Sequence, residues 1–323
     1  MKRRLVFFVL SLWLLWVAAT VAMAIKSSVQ VNDSYRVINV VNDFQAYYQK
    51  CSKMGWPDRL DHWDTMLEVK YPRFFKDAIY RGKNGIERDR YKQNCIRLFW
   101  DEVAPRMVEI SHLNRNLEKK INLMVTEFRK QLPDFVPATD FYITISFSFK
   151  GKALPVDNRN IIAIGLETFN LGDEQQIYIT LAHEMFHLYH FSFFQPGGGL
   201  YRLLWAEGLA TYASAVVVPG HRRSFYLGFP VEKMNRCYEL LPLLAEDLKK
   251  NLGRNDHRLK RIYFGAEPNE TSVPPEAGYY VGLLILEKLA AQTPLDQLAK
   301  MPADKVMPLL AKELAILERN YEN

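Results

Sequence analysis

Cysteine is scarce. The 323-residue chain holds three, Cys51, Cys95 and Cys237. Their spacing fits no cysteine-based metal site, and three thiols allow at most one internal disulfide. Cys51 with Cys95 is the candidate pair, and unpaired buried thiols are the equal alternative. A charge of one sign is missing too. Of the 42 basic residues, Lys2, Arg3 and Arg4 sit at the very start, which leaves 39 to face 36 acidic ones in the rest. That is an ordinary surface balance and gives no reason to expect a nucleic-acid partner. Repeats and low-complexity tracts are absent. With 49% hydrophobic and 24% charged residues, the chain is neither disordered nor fibrous. Long apolar runs are absent apart from Leu5 to Val21.

That run belongs to a leader. Lys2-Arg3-Arg4 precede it, and Ala22-Met23-Ala24 follow it with the small-x-small pattern of a signal-peptidase site. Residues 1–24 are therefore expected to be an export signal, and an uncleaved membrane anchor is the alternative. Either way the remainder is expected outside the cytoplasm, periplasmic or secreted, with membrane contact only through an uncleaved leader.

Residues 25–136 read as a mostly helical region. Ile110, Leu113, Leu117, Ile121, Met124, Phe128 and Leu132 form one apolar stripe, which predicts a long packing helix ending at Pro133. After Pro137 the period changes. Phe141, Ile143, Ile145, Phe147 and Phe149 alternate with polar residues, which predicts a strand over 141–149. Residues 151–160 read as loop, and Ile161 to Leu166 as a second, more buried strand. Helix resumes at Asp173, which with Gln176 resembles a capping box. A polar loop is expected around 254–276.

The chemistry lies in the helix after Asp173. His183 and His187 are one turn apart on one face, where two imidazoles can hold a single zinc ion. Glu184 borders that face, placed to take a proton from an activated water. Glu207, in Trp205-Ala206-Glu207-Gly208-Leu209-Ala210, lies on a second helical run beyond the Gly197-Gly198-Gly199 reversal. A hairpin of helices can bring it beside the two His as third ligand, and an acidic residue in an apolar helix is costly unless paired or metal-bound. His190, a turn beyond His187, is a rival ligand.

His183-Glu184-Met185-Phe186-His187 with Glu207 in its Trp-x-Glu-Gly-Leu-Ala setting resembles the gluzincin metallopeptidases. The downstream Gly278-Tyr279-Tyr280-Val281-Gly282 is similar to a Gly-Tyr-x-x-Gly segment in a bacterial group of predicted Zn-dependent proteases. The resemblance spans residues 140 to about 290. It implies an α+β fold with a zincin-like domain over 137–323: a small β-sheet, the His-Glu-x-x-His helix and the following Glu helix. It also implies a Zn2+ cofactor on His183, His187 and Glu207, with Glu184 as general base in peptide-bond hydrolysis. Tyr279 matches the family's donor to the carbonyl oxygen, with Tyr280 and His221 in reserve and an ordinary core role as its alternative. Two departures stand out. Thr211 occupies the place of an Asp that orients a ligand His, and no Gly-Ala-Met-Glu-Asn exopeptidase segment occurs. The implied partner is a peptide or protein substrate, which could bind along strand 141–149. A catalytically silent binding or adaptor protein on the same fold, possible with a membrane anchor, is the competing class.

Overall fold

The computed structural model describes residues 29–319, apart from 33, 34, 138, 158 and 196. The expected export signal, residues 1–24, lies outside the described residues.

Two strands open the described chain, β1 (Val29–Asn32) and β2 (Tyr35–Asn39). Helices follow: α1 (Val41–Cys51), α2 (Trp56–Trp63), α3 (Gly85–Leu98), α4 (Met107–Asn114) and α5 (Leu117–Gln131). Three more strands come next, β3 (Asp140–Thr144), β4 (Gly151–Val156) and β5 (Arg159–Gly165). The five strands form one sheet in the order β1-β2-β3-β5-β4. β2, β3 and β5 run parallel, while β1 and β4 are antiparallel edges. The boundary expected at 136/137 is therefore no break in packing. β2, from the first region, hydrogen-bonds β3, from the second, with Val37 opposite Phe141. Parallel central strands are covered on both faces, which is why Ile161 to Ile164 form a continuous buried run.

Several local expectations are corrected. The apolar stripe from Ile110 to Leu132 is buried throughout, but it lies on two helices. Asn116 sits at φ 59° between them, a left-handed conformation that Asn tolerates better than most residues. The strand expected over 141–149 ends at Thr144. Glu167 accepts the backbone N–H groups of Ser146 and Phe147, which takes them out of the ladder, and Phe147 adopts φ 61°. The stretch read as loop, 151–160, is mostly the edge strand β4, which turns at Asp157 with φ 49° into β5. The three cysteines are buried free thiols, so the Cys51–Cys95 bridge is not formed.

The C-terminal half is helical: α6 (Glu174–His190), α7 (Leu200–Val217), α8 (Val231–Glu239), α9 (Leu241–Asn251), α10 (His257–Phe264), α11 (Ala277–Ala290) and α12 (Ala303–Arg319). α10 falls inside the stretch expected as polar loop. No side-chain cap forms at Asp173, because its carboxylate accepts from Asn170 and the Gln176 amide donates to the Phe225 carbonyl. None of the described helices is long and apolar enough to cross a membrane.

Two close approaches fix the helices around the sheet. A Cβ on Gly151 would lie 2.3 Å from Thr180 Cγ2 and 3.0 Å from Glu184 Cγ, so only glycine lets β4 touch α6 there. At the α7–α11 crossing Gly208 faces Gly282, and a Cβ on Gly208 would lie 2.8–3.0 Å from the backbone of Gly282. Gly208→Ala must push the helices apart and is expected to cost about 1–3 kcal/mol in chemical denaturation. Gly253→Ala, whose methyl meets only Met307 Cε at 3.8 Å, should change stability by less than about 1 kcal/mol.

Candidate metal centre and cleft

α6 and α7 pack side by side because each is apolar around most of its surface. Ile177, Leu181, Met185 and Phe186 of α6 and Leu204, Trp205 and Leu209 of α7 are all buried. Helical spacing then aims His183 and His187 at Glu207. His183 Nε2 stands 3.0 Å from His187 Nε2, and each stands 3.2 Å from Glu207 Oε2. Among the described residues these three form the group able to hold a metal ion.

The spacing fits a metal. Donors about 2.0–2.1 Å from one tetrahedral ion are about 3.3 Å apart, close to the separations seen. The donor set suits zinc, with two imidazole nitrogens and a carboxylate oxygen. Electrostatics agree. Burial opposes charge on Glu207, but His187 and His183 prevail and hold the carboxyl well below the usual carboxylate range. Burial likewise opposes charge on His187, yet the adjoining Glu207 carboxylate outweighs it and raises that imidazole. The three groups form an enclosed site that already favours a cation.

Support from behind is thin. His187 Nδ1 is buried with no partner, and its ring is steadied by stacking on Phe191 at 5.2 Å. Thr211 donates to the Glu207 carbonyl one turn back and not to an imidazole, so it does not replace the orienting Asp. His190, the rival ligand, turns away into the core. Its Nδ1 lies 2.9 Å from the Ala299 carbonyl, and its ring stacks on Phe194. Burial lowers its pKa to about 4, which keeps it neutral.

His183 opens onto a cleft of about 680 Å³ that it lines together with Glu184, Tyr279, Glu276, Phe149 and Phe229, and His187 lies buried behind it. Glu184 leans on the sheet edge, where the Ala153 N–H donates to its Oε2 at 2.7 Å. Tyr279 lies with its ring 6.3 Å from that of His183 and 5.5 Å from Phe264. Burial keeps its phenol protonated, and the facing carboxylates of Glu207, Glu276 and Glu184 reinforce this. Tyr280 points elsewhere, into the core near Cys237 and Arg223. His221 stacks on Phe225 and is not among the residues that line the cleft.

Residues 151–308 match a family described as "Predicted Zn-dependent protease (DUF2268)". The match takes in all of the residues that line the metal group, and it suggests a hydrolase. No curated protein and no solved structure matches the chain.

Sequence reading missed three members of this site. Gly151 and Ala153 lie on an edge strand whose Lys-Ala-Leu-Pro sequence carries no alternation, and Glu167 follows a strand like any polar turn residue. The glycine in Lys150-Gly151 was the available signal, since an isolated glycine at a strand marks a close backbone approach.

The purified chain is expected to take up about one zinc ion per molecule, as counted by metal analysis. His183→Ala and Glu207→Ala should lose that ion, and His190→Ala should keep it. Zinc retained at wild-type stoichiometry by both ligand variants would contradict the assignment.

Proposed function

We propose that the chain is an exported zinc-dependent metallopeptidase of the gluzincin type, with residues 1–24 as its export signal. The observation that carries this reading is the convergence of His183, His187 and Glu207 on one point at the wall of a cleft that His183 and Glu184 line. Held by those three side chains, zinc would supply Lewis-acid polarisation of a water and of a peptide carbonyl.

The chain's own groups account for the rest. The free edge of β4 serves an extended peptide, in place of the 141–149 stretch, since β3 is flanked on both sides by β2 and β5. Lys150 accepts from Gly165 across the antiparallel pair. In that register the backbone groups of Gly151, Ala153 and Pro155 turn outward. The Ala153 N–H takes one carboxylate oxygen of Glu184 and so leaves Oε1 for the proton of the attacking water. Glu184 then delivers that proton to the leaving amine. Tyr279, held protonated, donates its hydroxyl to the carbonyl oxygen as negative charge develops on it.

Glu184→Gln should lower turnover on a peptide library by about 10²–10⁴-fold while zinc content stays at the wild-type level. Turnover close to wild type would remove Glu184 from the base role. Tyr279→Phe should lower kcat about 10²–10³-fold with KM, zinc content and melting temperature little changed. Tyr280→Phe should leave kcat near wild type. Near-normal kcat in the Tyr279 variant would return Tyr279 to a plain packing role.

A further inference from the structure

One wall of the cleft has a feature that the hydrolytic steps above do not use. Glu167 sits in the short turn Leu166–Thr168 after β5 and lines the cleft with Glu102, Leu98, Val103 and Phe147. Its Oε1 accepts the N–H of Ser146 at 2.9 Å and of Phe147 at 2.7 Å, with the Ser146 hydroxyl also at 2.7 Å. Its Oε2 is buried with no partner. A carboxylate oxygen cut off from water and left without a partner is costly, and burial accordingly pushes the Glu167 carboxyl up.

Among the described residues no cation forms an ion pair with it, although the Glu109 hydrogen bond and, more weakly, the Glu167 charge raise the Arg106 guanidinium. Arg106 directs its N–H groups to the Glu109 carboxylate and to the backbone carbonyls of Glu167 and Phe169. Lys150 Nζ lies beside Gly228. Glu102, on the π-helical turn Phe99–Val103, is exposed and has no ion-pair partner among the described residues. Two carboxylates that form no ion pair among the described residues thus line one cleft with aromatic and aliphatic side chains.

We propose that Glu167 and Glu102 form a subsite for a cationic group of the peptide, an ammonium or a guanidinium. The aliphatic stem of a Lys or Arg side chain packs on Phe147, Leu98 and Val103. Its charged head meets the exposed Glu102 carboxylate, and a turn of the Glu167 carboxylate toward the cleft it lines lets a charge-assisted hydrogen bond supply the partner that Oε2 lacks. The choice of a peptide as ligand rests on the peptidase reading; the choice of a cation rests on the wall itself.

Binding separates the two. The zinc-supplied Glu184→Gln protein is titrated with N-acetylated, C-amidated peptides that differ at one position, carrying Lys, Arg, acetyl-lysine or norleucine. A further norleucine peptide carries a free N-terminal amine. The Lys and Arg peptides should bind about tenfold or more tightly than the acetyl-lysine and norleucine peptides. Adding Glu167→Gln should shrink the difference to about twofold or less with norleucine affinity unchanged, and Glu102→Gln should shrink it in part. If the free-amine peptide alone gains affinity, and loses it with Glu167→Gln, the cation is the peptide's own terminus. Should Glu167→Gln fail to fold, the Lys against acetyl-lysine comparison and Glu102→Gln decide. Equal binding of cationic and neutral peptides, no binding of either, or a preference that survives the carboxylate substitutions overturns the subsite. A cation preference in binding, combined with no cleavage of any peptide by the zinc-supplied wild-type chain, keeps the subsite and overturns the peptidase reading.

Discussion

Glu207 is enclosed between two imidazoles, its Oε2 3.2 Å from the Nε2 atoms of both His183 and His187. A buried carboxylate is stable only beside positive charge. Two ring nitrogens 3.0 Å apart need something shared between them as well. A proton answers both demands in part; a divalent cation answers both at once. The remaining architecture brings three side chains from two helices to this one point and leaves His183 facing the cleft.

That task explains where the fold uses glycine. Gly208, directly after Glu207, lets α11 approach α7 at Gly282, and α11 carries Tyr279 to the cleft. Gly151 lets β4 reach α6, and the neighbouring Ala153 N–H then steadies Glu184. Each contact couples packing to site geometry. A methyl group added at either place shifts a whole element, and the chemical groups move with it. The sheet has the same role on a larger scale. Its buried parallel centre anchors β4, the edge left free to face the cleft.

The site was more legible than the fold around it. His183, Glu184 and His187 follow from helical spacing alone, because a four-residue interval on a helix leaves little freedom of placement. Glu207 needed the guess that a glycine-rich reversal folds α7 back on α6. The apolar stripe from Ile110 to Leu132 correctly gave the buried face, but it could not show the break at Asn116, since burial survives a kink that keeps the same face inward. The end of β3 was hidden for a different reason. The Phe-Ser alternation through Phe149 is good strand sequence, and a carboxylate from Glu167, some twenty residues away, overrides it. Long-range hydrogen bonds of that kind leave no periodic trace. β1, β2 and β4 went unread because strands of four to six residues carry little pattern of their own.

Zinc K-edge X-ray absorption on the zinc-loaded chain tests the metal centre most directly. Two imidazole nitrogens with oxygen donors at about 2.0–2.2 Å are expected, with no sulfur and with one imidazole lost in His183→Ala. A sulfur shell at about 2.3 Å, or a zinc ion without imidazole ligands, would contradict the convergence of His183, His187 and Glu207 on one ion.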